Sequence, residues 1–351
     1  MVRFASCSKI VRDHLSTRPS VKDIVRPGET ISSSHLSKRP GGKGANQAVA
    51  VAKAGGAVSL FGAIGEDEVS VKDNIADFGV DVQGIEITQE PTGRAIIQLT
   101  QGGENSIILF KGANYAALAS PTTDSLEPFT HMLLQNEIPF ETTLEYLRLS
   151  KHAKRPITTT FNPSPMPTPA QISGEIRWDC IDWLVVNEGE ARELLAAFTD
   201  APAEITHLTL TTDEPLPKTL ADKLQPYLGL LSQFASSQLF KYINVVCTLG
   251  ALGVLAHLPF VKNGCVLFEP AAKVDVVVDT TGAGDCWTGY LVAGLMRIDE
   301  SHSRATKSVD EELSVEEARV LLRECNRAAA LCVAKNGAME SFPDRPTVIF
   351  K

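Results

Sequence analysis

Short apolar runs of strand length alternate with longer segments of helical period over most of this 351-residue chain. The runs predicted as strands are residues 58–64, 131–135, 157–161, 183–186, 243–248, 253–258 and 274–278. The segments predicted as helices are residues 43–53, 141–153, 188–198, 216–236, 287–297 and 313–335. This alternation is typical of a parallel sheet covered by helices. The sequence therefore predicts an α/β fold with a doubly wound, mainly parallel sheet.

Two stretches interrupt the alternation, residues 30–40 and 92–112. Both read as short strands, and in the second a glycine-rich turn at residues 101–105 indicates a hairpin. A small β-sheet that projects from an α/β body is suited to act as a lid that excludes water from a site. The alternative is an extension for packing or dimerisation, and one element can serve both purposes.

Composition excludes several classes of function. A net charge of −9 argues against nucleic acid as the main partner, and no apolar run approaches the length of a membrane span. The seven cysteines are scattered and form no C-x-x-C pair, which favours reduced thiols in an intracellular compartment. The histidines form no H-E-x-x-H motif, so a metal site built on His or Cys is disfavoured.

The first 22 residues differ from the rest, because five Lys or Arg residues are opposed only by Asp13. A basic, serine-rich start can direct import into an organelle. We favour an irregular or mis-assigned N-terminus instead. The default expectation is a cytoplasmic protein that can also enter the nucleus.

A glycine turn at residues 279–289 reads Asp-Thr-Thr-Gly-Ala-Gly-Asp-Cys-Trp-Thr-Gly between a predicted strand and a predicted helix. Glycines let backbone N–H groups crowd together, and a helix N-terminus adds partial positive charge, so the turn can hold an anion. Asp285 would then lie beside a phosphate as a base. The alternative is a tight turn in which Asp285 caps the helix. The pattern is neither a Walker A motif nor a G-x-G-x-x-G fingerprint.

A second glycine turn, Gly-Gly-Lys-Gly-Ala-Asn-Gln-Ala, occupies residues 41–48 before another predicted helix. Lys43 and Asn46 are three positions apart and can face the same side of the first helical turn, where they would bind hydroxyls of a small polar ligand. The alternative is a flexible helix entry with both side chains in solvent.

Polar residues also follow two other predicted strands. Asn187 and Glu190 come after residues 183–186, at the edge where α/β proteins bind ligands, and a carboxylate there can hold Mg²⁺ through water. A helix cap followed by acidic residues would look the same. The glycines at Gly250 and Gly253 suit a turn that lies flat against a nucleotide, although a hairpin turn has the same pattern.

Taken together, these motifs resemble the ribokinase family of carbohydrate and nucleoside kinases. The resemblance rests on Pro-Gly-Glu-Thr at 27–30, the 41–48 and 279–285 turns, Asn-Glu-x-Glu at 187–190 and Thr-Leu-Gly at 248–250, and it covers roughly residues 23–345. It implies a kinase domain over residues 23–351 and ATP-dependent phosphorylation of ribose at O5. Another pentose, deoxyribose or a nucleoside is the alternative substrate. It also implies Mg²⁺, K⁺ as a monovalent activator and a homodimer formed through the lid.

The resemblance also assigns residues by position. Asp285 would be the base, and the anion-binding N–H groups would belong to Gly282, Ala283 and Gly284. Sugar contacts would come from Gly42, Lys43, Asn46, Glu137 and Asp285. Nucleotide contacts would come from Asn187, Thr248, Leu249, Gly250, Ala251, Leu252, Gly253, Gly284 and Asn326. Glu190 would organise Mg²⁺, and K⁺ would be bound by Asp279, Thr281, Cys332, Lys335, Gly337 and Ser341, mostly through carbonyl oxygens.

One part of the family pattern is missing. The family has G-S-x-N-x-D on its first strand, whereas residues 11–16 read Val-Arg-Asp-His-Leu-Ser and no Asn precedes Asn46. No strand-like apolar run is apparent there either, so residues 1–22 are expected not to match the family. A mis-assigned first exon is the interpretation we favour. The alternatives are a kinase with altered sugar binding and a nucleotide-binding pseudokinase.

Overall fold

The computed structural model describes residues 4–7, 11–17, 24–30, 38–99, 105–116, 120–198, 207–212, 216–261, 264–306 and 313–350. The strands in this part of the chain are β1 Phe4–Cys7, β2 Val11–Thr17, β3 Lys38–Gly41, β4 Val58–Gly65, β5 Ile85–Thr88, β6 Arg94–Leu99, β7 Asn105–Phe110, β8 His131–Gln135, β9 Thr158–Asn162, β10 Trp183–Asn187, β11 Asn244–Thr248, β12 Gly253–Leu258 and β13 Cys265–Pro270. The α-helices are α1 Lys43–Lys53, α2 Ser70–Ala76, α3 Thr123–Leu126, α4 Phe140–His152, α5 Pro169–Gly174, α6 Glu188–Ala196, α7 Lys218–Ser236, α8 Ala283–Thr306, α9 Val315–Val333 and α10 Arg345–Phe350. No helix among these residues is both long and apolar enough to cross a membrane.

Nine strands form one sheet in the order β13-β12-β11-β10-β9-β8-β1-β4-β5. Pairing is parallel from β11 to β5, and β12 and β13 add an antiparallel edge. One apolar cluster joins the sheet to α1, α8 and α9, and a second joins it to α4, α6 and α7. The predicted doubly wound α/β fold is confirmed.

The centre of the sheet corrects the expectation that residues 1–22 contain no strand. Strand β1 lies between β4 and β8 and pairs in parallel with both, Phe4 standing opposite Val58 and His131. Its sequence, Phe-Ala-Ser-Cys, is short and only partly apolar. Such a segment gives a weak strand signal by itself, and the neighbours on both edges supply the pairing that makes it a strand.

The valine-rich segment 274–278 corrects a second expectation, because it is not a strand. Val276 and Val277 are 66% and 61% exposed, so the run does not enter the core. The strand that precedes α8 is β13, which the sequence pattern missed and which pairs with β12. Apolar β-branched residues form a strand only where they pair with another strand. Among the described residues this run pairs with none, and Val278 N donates instead to the Val333 carbonyl at 2.8 Å.

A separate four-stranded sheet has the order β3-β2-β6-β7. The predicted hairpin within 92–112 is present as β6 and β7. Of the predicted stretch 30–40, residues 31–37 lie outside the described residues. Residues 38–40 form the first part of β3. Strand β2, which was not predicted, pairs with β3 and with β6. This sheet is called the lid below, although its covering role stays a prediction.

The base of the lid hairpin is held by Asp67. Its Oδ1 accepts hydrogen bonds from the backbone N of Thr92 at 2.9 Å and from Thr92 Oγ1 at 2.8 Å, and its Oδ2 lies 2.6 Å from a guanidinium nitrogen of Arg94. Partial burial tends to raise the pKa of Asp67, but these hydrogen bonds and the Arg94 charge outweigh it and lower the pKa. At the same base, on the side where the chain leaves β7, Gly112 passes so close to Pro91 that a Cβ would lie 2.2 Å from the Pro91 carbonyl oxygen. Both strands of the hairpin are therefore fixed at its base.

Candidate active site

Helices α1 and α8 approach each other very closely at Gly289, the last residue of the 279–289 glycine turn. A Cβ on Gly289 would lie 2.4 Å from Ala50 Cβ and 2.7 Å from the Gln47 carbonyl oxygen. Because Gly289 has no side chain, the first turns of the two helices lie side by side. The two glycine motifs, far apart in sequence, thus meet at one place.

The carboxylate of Asp285 lies at this meeting point and is 9% exposed. Its Oδ2 accepts a hydrogen bond from Asn46 Nδ2 at 2.8 Å, and its Oδ1 accepts one from Gln47 Nε2 at 2.8 Å. Helix α8 begins at Ala283, so Asp285 lies inside its first turn rather than at the capping position. The interpretation of Asp285 as a simple cap is therefore wrong, and the side chain is directed toward α1.

The start of α1 adds a cation and a second carboxylate. The backbone N of Lys43 donates to Glu137 Oε2 at 2.8 Å, and Glu137 is buried. Burial tends to lower the pKa of the Lys43 ammonium, but Asp285, Glu190 and Glu137 raise it by more, so the net shift is upward. Lys43 is thus a firmly charged ammonium among three carboxylates.

The backbone leading into α1 and the side chain of Asn46 complete this side. Gly42 has φ +98°, a conformation that glycine adopts without strain. Asn46 is 7% exposed, and its Oδ1 has no hydrogen-bond partner in the described part of the chain. A buried unsatisfied acceptor is costly, so this oxygen is suited to receive a ligand hydroxyl.

The turn that leads into α8 is shaped by Gly282. Its φ is +76°, and a Cβ would lie 3.0 Å from Ala338 Cβ. The Gly282 carbonyl accepts from Cys286 N at 2.7 Å, while Ala283 N donates to the Thr280 carbonyl at 3.3 Å. The predicted Ala283 N–H contribution to an anion site therefore competes with a long protein hydrogen bond. Because Cys286 N is already bonded, helix geometry leaves only the N–H groups of Gly284 and Asp285 in this turn outside the intrahelical ladder.

A cavity of about 570 Å³ lies on the other side of this turn. Most of its wall is backbone or small apolar side chains. The lining residues are Thr248, Gly250, Ala251, Gly253, Ala271, Ala272, Lys273, Val274, Val277, Thr280, Ala283, Gly284, Trp287, Asn326, Ala329, Ala330 and Val333. Of the predicted nucleotide residues in the β11–β12 turn, Leu249 and Leu252 do not line it. The turn between β11 and β12 is a hairpin turn, as the alternative interpretation expected. It also forms part of the cavity wall.

Asn326 lines this cavity but directs its polar atoms to the protein. Its Oδ1 accepts from Trp287 Nε1 at 2.8 Å, and its Nδ2 donates to the carbonyls of Glu269 and Pro270 at 2.9 Å each. The Asn326 amide therefore fastens β13 and α8 together as one wall. Both Nδ2 hydrogens are thus used within the protein, and neither is left to donate to a ligand.

A smaller cavity of about 150 Å³ lies beside Asp285. Lys43, Asn187, Glu190 and Asp285 line it, and Thr248 and Gly284 line both cavities. The two spaces therefore meet at the end of β11 and the start of α8.

Asn187 and Glu190 also form a capping box at the start of α6. Glu190 N donates to Asn187 Oδ1, and Asn187 N donates to Glu190 Oε2, both at 2.9 Å. The capping interpretation is thus correct. It does not exclude a ligand role, since both side chains also line the smaller cavity.

The predicted K⁺ residues are brought together in part by Asp279. Its Oδ1 accepts from Thr281 N and its Oδ2 from Gly337 N, both at 3.0 Å. Because its carboxylate accepts hydrogen bonds from both N–H groups, Asp279 joins the loop before α8 to the loop after α9. That junction brings carbonyl groups from both loops into one region.

The other three predicted K⁺ residues lie in the same region. Cys332 Sγ is 3.0 Å from Ser341 Oγ, which also donates to the Ala338 carbonyl at 2.6 Å. Lys335 N donates to the Cys332 carbonyl at 3.0 Å. These contacts describe a compact loop whose side chains are largely engaged, so a cation would depend on its backbone.

Sequence reasoning missed three amide side chains at the site: Gln47, Gln135 and Asn162. Gln47 Nε2 also lies 3.2 Å from Asn162 Oδ1, and Gln135 Nε2 donates to Gln47 Oε1. Gln135 and Asn162 are the last residues of β8 and β9 and stand opposite each other in the sheet. The strand-end rule that identified Asn187 would have found both if it had been applied to every strand.

Comparison with known proteins agrees with this geometry. The chain matches the family described as pfkB family carbohydrate kinase over residues 10–223 and 231–345. The match begins inside the segment 1–22 that was expected to lie outside the family. A ribokinase from Lactococcus lactis subsp. lactis is 32% identical over 279 residues, which cover 78% of this chain and 77% of that relative.

Two solved structures extend the comparison over the whole fold. The ribokinase of Cryptococcus neoformans var. grubii serotype A in complex with ADP is 42% identical, covers 99% of both chains and has a TM-score of 0.78. The ribokinase of Arabidopsis thaliana complexed with ribose and ATP is 26% identical, covers 100% of this chain and 98% of that one, and has a TM-score of 0.73. The chain therefore belongs to the pfkB family of carbohydrate kinases.

Proposed function

We propose that this protein is an ATP-dependent ribokinase that transfers the γ-phosphoryl group of ATP to O5 of D-ribose. The observation that carries the proposal is the buried carboxylate of Asp285, which lies in the first turn of α8 where two cavities meet. Relatives named ribokinase match most of the chain, which supports ribose as the acceptor.

The larger cavity suits a nucleotide, because its apolar walls can enclose a base while the phosphates extend toward Gly284. The ribose would lie against Asn46 and Glu137, with its primary hydroxyl facing Asp285. As Asp285 takes the hydroxyl proton, O5 bonds to the γ-phosphorus, the bond from that phosphorus to the β,γ-bridging oxygen breaks, and ADP leaves. The N–H groups at the start of α8 stabilise charge on the transferred group. Phosphoryl transfer requires mainly alignment and charge neutralisation, which these groups provide together with the Lys43 ammonium.

Glu190 is the residue we propose for Mg²⁺, because its carboxylate lines the smaller cavity beside Asp285. When bound, Mg²⁺ would neutralise phosphate charge. For K⁺ we propose carbonyl oxygens from the loops that Asp279 joins, at Asp279, Thr281, Cys332, Lys335, Gly337 and Ser341. Asp279 is suited to keep those loops together, since each of its oxygens accepts an N–H group from one of them.

We further propose a homodimer formed through the lid, in the cytoplasm. The support is a pair of apolar side chains on one face of β7, Ile108 and Phe110, which are 58% and 46% exposed, while Leu109 between them is 46% exposed on the opposite face. Exposed apolar side chains that neighbour each other on one face of a sheet are typical of interaction surfaces. Analytical ultracentrifugation of the native chain and of an Ile108→Lys variant would test this, since a dimer formed there should dissociate in the variant.

The activity is tested by a coupled ADP-release assay with ribose, deoxyribose and nucleosides, with and without K⁺, and by ³¹P NMR of the product. We expect ribose 5-phosphate, faster turnover with K⁺, and a loss of about 1,000-fold in kcat for Asp285→Ala. Asp222→Ala, which removes an exposed carboxylate on α7, should leave the rate unchanged. Turnover of a nucleoside but not of ribose would replace the proposed substrate. Nucleotide binding without turnover of any acceptor would identify a non-catalytic protein and overturn the proposal.

A further inference from the structure

We infer that Gln47 is a positioning residue that fixes one oxygen of Asp285 so that the other faces the acceptor hydroxyl. This inference rests on the proposed function of Asp285 as the base. Gln47 belongs to the glycine motif at residues 41–48, yet neither the motif nor the resemblance assigned it a role. Its side chain is fully buried, and its Nε2 donates to Asp285 Oδ1 at 2.8 Å.

The orientation of the Gln47 amide is determined by its neighbours. Asn162 Nδ2 donates to the Val185 carbonyl at 2.9 Å, which leaves Asn162 Oδ1 as an acceptor directed at Gln47. Gln47 Nε2 donates to that oxygen at 3.2 Å and to Asp285 with its other hydrogen. Gln135 Nε2 donates to Gln47 Oε1 from the opposite side. A flip of the Gln47 amide would break all three contacts, so its donor always faces the carboxylate.

This arrangement ties the base to the rigid part of the fold. Gln135 and Asn162 end neighbouring strands of the sheet, and both are buried. A hydrogen bond from such an amide restricts Asp285 more than a bond from a mobile surface side chain would. Gln135 Oε1 has no partner among the described residues, but each polar atom of Gln47 is hydrogen-bonded, and buried hydrogen bonds of this type restrict side-chain geometry.

Asn46 and Gln47 then have different tasks although they are adjacent. Asn46 Nδ2 binds Asp285 Oδ2, and the unsatisfied Asn46 Oδ1 is the group suited to a sugar hydroxyl. Every polar atom of the Gln47 side chain is already engaged by protein, so Gln47 has no atom left for the sugar. Removal of Gln47 should therefore alter the rate of transfer and leave sugar binding unchanged.

The test compares Gln47→Met, which keeps a similar length and removes the donor, with Thr160→Val as the control. Thr160 is 1% exposed on β9, two positions before Asn162, and its hydroxyl has no hydrogen-bond partner among the described residues. For Gln47→Met we expect kcat to fall about 10- to 100-fold, with KM for ribose and for ATP within about threefold of the native values. Thr160→Val should keep kcat and both KM values. An unchanged kcat in a folded Gln47→Met protein would overturn the inference.

A second variant covers the case in which Gln47→Met does not fold. Gln135→Met removes the donor that holds Gln47 Oε1, and we expect a smaller fall in kcat, about threefold to tenfold, again with KM unchanged. A rise in either KM that matches the loss of kcat/KM would show a binding role and contradict the inference. The native enzyme is assayed first, since absence of any turnover there refutes the proposed function and with it this inference. Full turnover in both variants refutes the inference alone.

Discussion

The two halves of the candidate site are built in opposite ways. The larger cavity is enclosed by backbone, alanines and valines, and the amide of Asn326 in its wall is turned toward the protein. Around Asp285, by contrast, side chains of α1 and of two strand ends form defined hydrogen bonds with one another and with the carboxylate. The larger cavity can select a ligand by shape, whereas the surroundings of Asp285 position groups by hydrogen-bond geometry. Substitutions in the first half should change the binding constant for the nucleotide, and substitutions of the side chains that only orient Asp285 should change the rate of transfer.

Among changes that leave Asp285 itself in place, the largest effect is expected for Gly289→Ala, which tests whether helix spacing controls the rate. The added methyl group would lie 2.4 Å from Ala50 Cβ and must push α1 away from α8. We expect a loss of about 100-fold in kcat, because a displacement of about 1 Å misaligns Asp285 with its donors. Overpacking should also lower the free energy of unfolding by about 1–3 kcal/mol, measured by urea denaturation.

The matched control for that substitution is Gly229→Ala in α7. A Cβ there would meet nothing within 4 Å, so the alanine should stabilise the helix by about 0.5–1 kcal/mol and leave kcat unchanged. If Gly289→Ala keeps the native kcat while losing stability, the helix approach matters for folding only. That result would contradict the expectation that substitutions around Asp285 act on the rate of transfer.

The shape-dependent half is tested by Ala330→Leu on α9. The larger side chain enters the 570 Å³ cavity without touching the hydrogen bonds of Asp285. We expect KM for ATP to rise about tenfold, equivalent to about 1.4 kcal/mol of binding, with KM for ribose and kcat near the native values. Steady-state kinetics with each substrate varied in turn distinguish these quantities. A fall in kcat with unchanged KM for ATP would show that the cavity affects the rate and not nucleotide binding, contrary to this prediction.

The smallest effect is expected at the lid base, with Asp67→Asn. The pKa of Asp67 is lowered below 3.8 in the folded protein, so its carboxylate stabilises the fold above the unfolded pKa and loses that contribution as pH falls through the folded pKa. At pH 7 the variant should be less stable by about 1 kcal/mol, since the hydrogen bonds from Thr92 are weakened.

Thermal unfolding from pH 7 down to about pH 3 would test that expectation. The difference in Tm between the native protein and Asp67→Asn should shrink as the pH falls below the ordinary Asp value of 3.8. The kcat at pH 7 should be similar in both proteins. A difference in Tm that is independent of pH would show that the carboxylate charge is not what holds the hairpin.

The sequence predicted the hydrogen-bonding half better than the cavity. Glycine turns and polar strand ends are local patterns, so Lys43, Asn46, Asn187 and Asp285 could be identified before the fold was known. The same rule was not extended to Gln135 and Asn162, although both are strand-end residues of the kind it describes. Gln47 is part of the 41–48 motif, but its partner Asp285 lies on α8, which that motif does not contain.

The cavity wall was predicted only in part: Gly250 and Asn326 were expected and line it, but its alanines and valines have no chemical signature. Val274 and Val277 resemble strand residues in sequence, and only the position of β13 shows that they form the wall instead. Leu249 and Leu252 fall within the predicted nucleotide turn but do not line the cavity. Strand β1 was missed for a related reason, since four partly apolar residues become a central strand only when two neighbours pair with them.

The hydrogen bonds from Asn46 and Gln47 to Asp285 join residues that are 239 and 238 positions apart in the chain. During synthesis, α1 emerges long before α8, and local folding cannot supply the carboxylate that its two amides bind. Contacts of such long sequence separation form late, because a large loop must close first. The catalytic geometry is therefore among the last parts of the molecule to be completed, and a ribosome-bound chain can be folded over much of its length while still unable to transfer phosphate.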